Sequence, residues 1–376
     1  MTVTSSFGPT ALTKTAIAAA AALGVALAVP GCSDDGADGA PGGGAANAAC
    51  EGAPTVEKNE FCASCQMSPT ATPATCKAPR TVNACCAWVA PPTKPLERGV
   101  GLNRYSGSDP TIQLSCLDDP GTVGAPTTVT LKGFVRLFSS GGDSAGAKIE
   151  IFREGEDGSL GEAIGTAVTT TSDDENVKKE DWLEKCPDGG CTFRGYTYPG
   201  VPTETRLIVK TSDATGSSQW AALYDYNVFF PTAAAVDGVI EYDPSVVAAT
   251  DLNTVASAAG GFSPSQDKGM LAGEVHDCAD VRLAGATVDI DAAHEGDMFY
   301  FGENETNPLP DKTRTSAGTS KLSLFGTLNV TTGVPIRISA LGNYNGQTVL
   351  LATHTVQTFK GSVTSLRLRG RRPWQQ

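Results

Sequence analysis

Few residues of this chain could do chemistry. Three histidines occur in 376 residues, His276, His294 and His354, which limits metal ligation and proton transfer before any motif is considered. Gly142-Asp143-Ser144-Ala145-Gly146 has the G-x-S-x-G spacing of a nucleophile elbow. That device needs a helix after the serine, and Lys148–Phe152 has a strand pattern instead. No histidine precedes position 276, so a triad with its base upstream is not available, and the segment is expected to be a β-turn. Ser265-Gln266-Asp267-Lys268 fits S-x-x-K without that chemistry's companion motifs. His276 and Asp277 with Asp289 and Asp291 could build a His/carboxylate metal site, the basis of an alternative reading as an exported hydrolase or metalloenzyme near His276 and Asp289. Strand alternation puts Asp289 and Asp291 on one face, and a solvated face is the expectation. No catalytic residue, metal or cofactor is assigned.

Two further groups could bind rather than react. Trp220, Tyr224 and Tyr226 could offer a platform to a sugar ring. Period-2 alternation places them with Ala222 and Val228 on one strand face, so a core role is expected. The tail arginines Arg367, Arg369, Arg371 and Arg372 could touch anionic lipopolysaccharide, with a solvated terminus as the plainer expectation.

The beginning of the chain reads as an address. Lys14 precedes the apolar run Thr15–Val29, the length of a signal-peptide core and short for a mature membrane span. Val29-Pro30-Gly31-Cys32 then resembles a bacterial lipoprotein signal, although Pro30 is an unusual occupant. The resemblance implies cleavage before Cys32 and acylation of that residue, anchoring the chain to the lipid bilayer. Ser33 follows, where aspartate would favour the inner membrane in such families, so outer membrane is expected and the face, periplasmic or surface, stays open. Residues 32–49, rich in Gly, Ala and Asp, have no large apolar group and read as a tether.

Counting cysteines extends the address. Beyond Cys32, ten remain, an even number in an exported chain, which favours disulfides. Six crowd together at Cys50, Cys62, Cys65, Cys76, Cys85 and Cys86, where a core is too small to hold the segment. Cys62-Ala-Ser-Cys65 with Cys85 and Cys86 leaves a Cys-based metal or redox reading as an alternative. Cys186 and Cys191 enclose Pro-Asp-Gly-Gly, a turn that brings chain ends together. Cys116 and Cys278 are left over by arithmetic.

Composition and repetition supply the elements that must position these residues. With 41 acidic against 28 basic residues the net charge is −13, so nucleic acid is excluded as a partner class. Three landmarks occur twice in one order. Gly133-Phe134-Val135 matches Gly273-Glu274-Val275; Ala145-Gly146-Ala147-Lys148-Ile149-Glu150-Ile151 matches Ala284-Gly285-Ala286-Thr287-Val288-Asp289-Ile290; Gly200-Val201-Pro202 matches Gly333-Val334-Pro335. A duplicated domain is implied. Runs rich in Val, Ile, Thr and aromatics follow each landmark, with Gly, Pro and Asn between them. Asp243, Pro244 and the apolar Val246, Val247, Leu252 and Val255 predict one helix between the copies, ended by Gly260-Gly261.

The landmarks resemble the carboxypeptidase regulatory-like (transthyretin-like) β-sandwich, which accompanies catalytic units and carries no catalytic residues itself. The expected fold is mostly β: two tandem Ig/transthyretin-like β-sandwiches joined by a short helix and preceded by a small disulfide-rich segment. The expected boundaries are 1–31 signal, 32–49 tether, 50–120 Cys-rich segment, 121–240 first sandwich, 241–266 helical linker and 267–376 second sandwich. The function this implies is a non-enzymatic envelope lipoprotein that binds, adheres or spaces, with a protein or glycan ligand for the sandwiches.

Overall fold

The computed structural model describes residues 101–374, except 106–108, 118, 139–141, 176–190, 262, 346 and the side chains of 347 and 348. The expectations for the signal, the tether and Cys32, Cys50, Cys62, Cys65, Cys76, Cys85, Cys86 and Cys186 lie outside the described residues.

The chain is mostly β. Strand β1 (Asn103–Arg104) precedes the first copy, which begins with β2 (Thr128–Phe134), β3 (Arg136–Leu137), β4 (Gly142–Asp143), β5 (Ala147–Glu154) and β6 (Leu160–Thr169). It continues with β7 (Cys191–Thr192), β8 (Gly195–Pro202), β9 (Leu207–Asp213), β10 (Trp220–Ala221), β11 (Leu223–Val228) and β12 (Val239–Glu241). Strand β13 (Ser245–Ala248) leads into helix α1 (Ala249–Ala259). The second copy holds β14 (Gly269–His276), β15 (Leu283–Ala284), β16 (Ala286–Ile290) and β17 (Glu295–Tyr300). It ends with β18 (Leu324–Val330), β19 (Ile336–Tyr344), β20 (Gln347–Val356) and β21 (Val363–Arg369).

The duplication is visible in strand pairing. β2 lies between β12, in parallel, and β8, antiparallel. β14 lies in the same way between β21, parallel, and β18, antiparallel. β5 pairs antiparallel with β9, as β16 does with β19. The two A-G-A turns carry the same four bonds. Gly146 N and Gly285 N donate to the carbonyls of Thr170 and Thr319, and the amides of those threonines donate to Ala147 and Ala286. The Thr170 hydroxyl accepts from Ala147 N at 3.1 Å and donates to Ser144 O; the Thr319 hydroxyl accepts from Ala286 N at 3.0 Å and donates to Leu283 O. Both turn glycines have φ near +80° (78° and 80°), a region that a Cβ disfavours. Gly133 and Gly273 recur for another reason. A Cβ on either would lie within 2.3 Å of a carbonyl of the chain alongside, Tyr242 O or Leu366 O.

The two copies are not separate bodies joined only by a linker. β11 pairs in parallel with β21, so one eight-stranded sheet runs β17-β18-β14-β21-β11-β9-β5-β6 through both. The remaining sheets are β12-β2-β8, β16-β19-β20 and β10-β13-β3, with the two-stranded pairs β1-β15 and β4-β7. Alternate residues of β9 serve the two cores: Leu207 and Val209 enter the first, and Ile208 enters the second. The aromatic run divides likewise. The strand breaks between Ala221 and Leu223 and bulges near Asn227, whose φ is +61°. Trp220 therefore packs in the first core, while Tyr226 packs in the second with Tyr224 against it, so they do not share a face as expected.

Two segments pack otherwise than expected. Leu102, Leu114 and Leu117, expected in the Cys-rich segment, pack in the second core, and β1 pairs with β15. Cys116 is disulfide-bonded to Cys278, with Cα atoms 5.6 Å apart. Helix α1 starts later than its cap signal predicted: Asp243 accepts from Phe134 N instead, and Val246 and Val247 sit in β13. A β-branched pair gains more in a buried strand than in the first turn of a helix.

If the threonine latches hold each A-G-A turn, Thr170→Val and Thr319→Val should each cost about 1–3 kcal/mol by orphaning a buried amide. Ile151→Ala and Ile290→Ala should cost about 2–5 kcal/mol. Urea melts check both, and near-neutral threonine variants would contradict the latch.

Candidate functional site

The residues singled out by sequence do not assemble into catalytic machinery. Ser144 is fully buried, and its hydroxyl accepts from Arg194 N at 2.8 Å. Arg194 meanwhile pairs with Asp143. Ser265 Oγ accepts from Asp267 N, and Lys360 reaches Asp267 at 3.2 Å in an exposed pair. Asp289 is 1% exposed, so the expected solvated face is corrected: all five residues of β16 are buried. Its Oδ1 accepts from Ile290 N, and Val288 N donates to the Tyr300 hydroxyl, which brings the next strand against β16. The aromatic platform is also core. Trp220 Nε1 donates to Ala145 O and the Tyr226 hydroxyl to Gly158 O. Tyr224 stacks on Phe359 at 4.1 Å.

His276 joins a charged ladder rather than Asp289. The parallel pairing of β14 with β21 sets Glu274 beside Arg367 and His276 beside Arg369. Residues two apart on a strand share a face, so register alone aligns the four groups. His276 Nε2 meets Glu274 Oε2 at 2.8 Å and Nδ1 meets Asp280 Oδ1 at 2.9 Å. Arg282 reaches Glu274 at 3.2 Å, and Arg369 reaches Asp280 at 3.3 Å. Burial opposes charge throughout. The hydrogen bonds that Asp280 and Glu274 accept nevertheless raise the His276 pKa, and His276 with the arginines holds both carboxyls well below the carboxylate range. Carboxylates on both nitrogens favour the cationic form of the imidazole. No group of three metal-capable side chains is found among the described residues.

The tail is not a frayed terminus. Arg371 donates to Leu117 O, and Arg372 donates to the side chain and carbonyl of Asn227. Trp374 lies against Phe229 and under Arg206. Arg206 also meets Glu154 at 2.8 Å, and His354 Nε2 meets the same carboxylate oxygen at 2.6 Å. This buried pair joins β5 of one copy to β20 of the other. Sequence gave no signal for it, since the partners are 200 residues apart.

The same sheet face that carries the ladder opens into a cavity of about 160 Å³ where the copies meet. Its walls are apolar, from Leu223, Met270, Leu328 and Val363 on the sheet, Leu252 on α1 and Phe299. Gly326 lets Phe299 lie on the sheet, since a Cβ there would come within 2.7 Å of the ring. The polar end holds Arg136, Arg367, Asp225, Asp243 and Glu274. Asp225 accepts from the Tyr242 hydroxyl at 2.9 Å and from Ser365 Oγ at 2.8 Å. Burial raises its pKa against the pull of Arg367. This is the arrangement of a small-molecule site: apolar walls with a few convergent polar groups.

No family model matches the chain, and no curated protein matches it. Among solved structures, a marsupial T cell receptor is similar at 7% identity, over 64% of this chain and all of that one, with a TM-score of 0.12. A likeness at that level carries no argument.

The ladder has a pH signature. The raised His276 pKa contributes stability present below its unfolded value, about 6.5, and lost as pH rises through the folded one. The lowered Glu274 and Asp280 contribute above their unfolded values, about 4, and lose that as pH falls. The contribution should therefore peak at roughly pH 4.5–6.5. His276→Gln should cost about 1–3 kcal/mol at pH 5.5, allowing for the partial exposure of Asp280, and less at pH 9. Denaturant melts at the two pH values check this; a cost that grows at pH 9 would contradict it.

Proposed function

We propose that this protein is a lipid-anchored envelope protein of the outer membrane that works by binding and not by catalysis. The observation that carries the reading is the cavity between the repeat copies, apolar along its walls and charged at one end. The engagement of His276 by two carboxylates, and the burial of Ser144 without a base beside it, also favour binding over turnover. The anchor rests on sequence: the apolar run Thr15–Val29, the small residues before Cys32, and the tether that follows. No helix among the described residues is long and apolar enough to cross a membrane. In this reading Cys32 carries the acyl chains, residues 33–49 lift the folded part from the bilayer, and the joint between the copies presents the ligand site.

Expression with labelled palmitate tests the anchor. The wild-type chain should take up label and fractionate with envelopes, whereas Cys32→Ala should lose both while the Cys116–Cys278 disulfide and the fold remain. Label that persists in Cys32→Ala would overturn the anchor.

A further inference from the structure

The cavity between the copies has a polar end whose charges are unevenly spent. Its three carboxylates are engaged. Asp225 accepts from Tyr242 and Ser365, Glu274 is held by His276 and Arg282, and Asp243 accepts from Phe134 N. Its two guanidinium groups keep hydrogen-bond donors unused, although Glu274, Asp225 and Asp280 act on the charge of Arg367 from a distance. Arg136 Nη2 reaches Ser245 Oγ only at 3.4 Å, and its buried Nε has no hydrogen-bond partner among the described residues. Arg367 reaches Glu274 only at 3.9 Å. Its side chain keeps 41% of its surface accessible, although β21 lies inside the eight-stranded sheet with strands on both sides. Arg367 is also one of the residues that line the cavity. Two cations with idle donors beside apolar walls form a site for an oxyanion carried on an apolar body, because guanidinium matches a carboxylate in shape and charge. Size sets the body: about 160 Å³ is close to the roughly 150 Å³ of an engineered apolar cavity that admits benzene.

We propose that the joint between the repeat copies binds a small amphipathic carboxylate, with its carboxylate on Arg136 and Arg367 and a body of about one ring against Leu252, Met270 and Phe299. The inference rests on the reading of the protein as a binding module and names the ligand class of that site. The shared sheet explains why neither copy has this site alone. Arg136 comes from β3 of the first copy, Arg367 from β21 of the second, and Leu252 from the helix between them.

The test is titration of the purified full-length chain with phenylacetate, toluene and phenethylamine, followed by calorimetry. Phenylacetate should bind saturably at one site per chain and phenethylamine should not bind. Arg136→Gln and Arg367→Gln should each weaken phenylacetate about tenfold or more, the loss of a charge-assisted hydrogen bond. Leu252→Trp, which fills the cavity from the helix and leaves both arginines, should abolish binding. Should either arginine variant fail to fold, Leu252→Trp decides alone. Absence of saturable phenylacetate binding, or wild-type affinity in folded Arg136→Gln, in folded Arg367→Gln or in Leu252→Trp, overturns the proposal. Tighter binding of toluene or phenethylamine at this site overturns the carboxylate assignment and leaves the binding-module reading standing.

Discussion

Leu223–Tyr226 of β11 pair in parallel with Val363–Leu366 of β21, and through those four residues two copies of a duplicated unit become one sheet. Each copy on its own would expose a strand edge there, with unpaired amides and carbonyls that invite association. Pairing the edges with each other satisfies both. It also fixes the angle and register at which the copies meet, so the loops and the helix between them have one geometry to fill. The buried pair of Glu154 with His354 reinforces the same arrangement, and the disulfide of Cys116 with Cys278 ties the preceding segment to the second copy.

The polar features follow from that register. Parallel pairing of β14 with β21 sets Glu274 against Arg367 and His276 against Arg369, so opposite charges alternate across two strands. Removing a partner of His276 or Glu274, the more shielded members, would strand a charge where an unpaired ion is costly. The ladder therefore behaves as one unit. At its inner end the alternation stops at the cavity, where the arginines face apolar walls with donors to spare. A chain that only needed stability would be better served by filling this space with leucine or phenylalanine. Retained charge at an apolar void is the mark of a site.

Much of the β architecture was legible because it rests on local pattern. Period-2 alternation in Lys148–Phe152, and the paired glycines at 133 and 273 and at 146 and 285, carry their physical reasons in sequence. The two cysteines that arithmetic left over, Cys116 and Cys278, are bonded to each other, but no local pattern in sequence pointed to that pair. The unread parts depend on what lies across space. Asp289 looks like a surface residue until neighbouring segments cover both faces of β16. Trp220 and Tyr226 look like one stripe until the break after Ala221 turns the strand over. Arg367 and Arg372 look like a loose tail until β21 enters the centre of the sheet. Helix α1 shows competition rather than concealment, since its cap residues were present and the strand took them.

The shared sheet makes the two copies a single cooperative structure, with the cavity existing only in their union. Differential scanning calorimetry of the full chain, disulfides intact, tests it most directly through the ratio of calorimetric to van't Hoff enthalpy. One transition with a ratio near unity is the result expected for copies joined through β11 and β21. Two resolved transitions, each with about half the total enthalpy, would show copies that fold independently and would contradict the account.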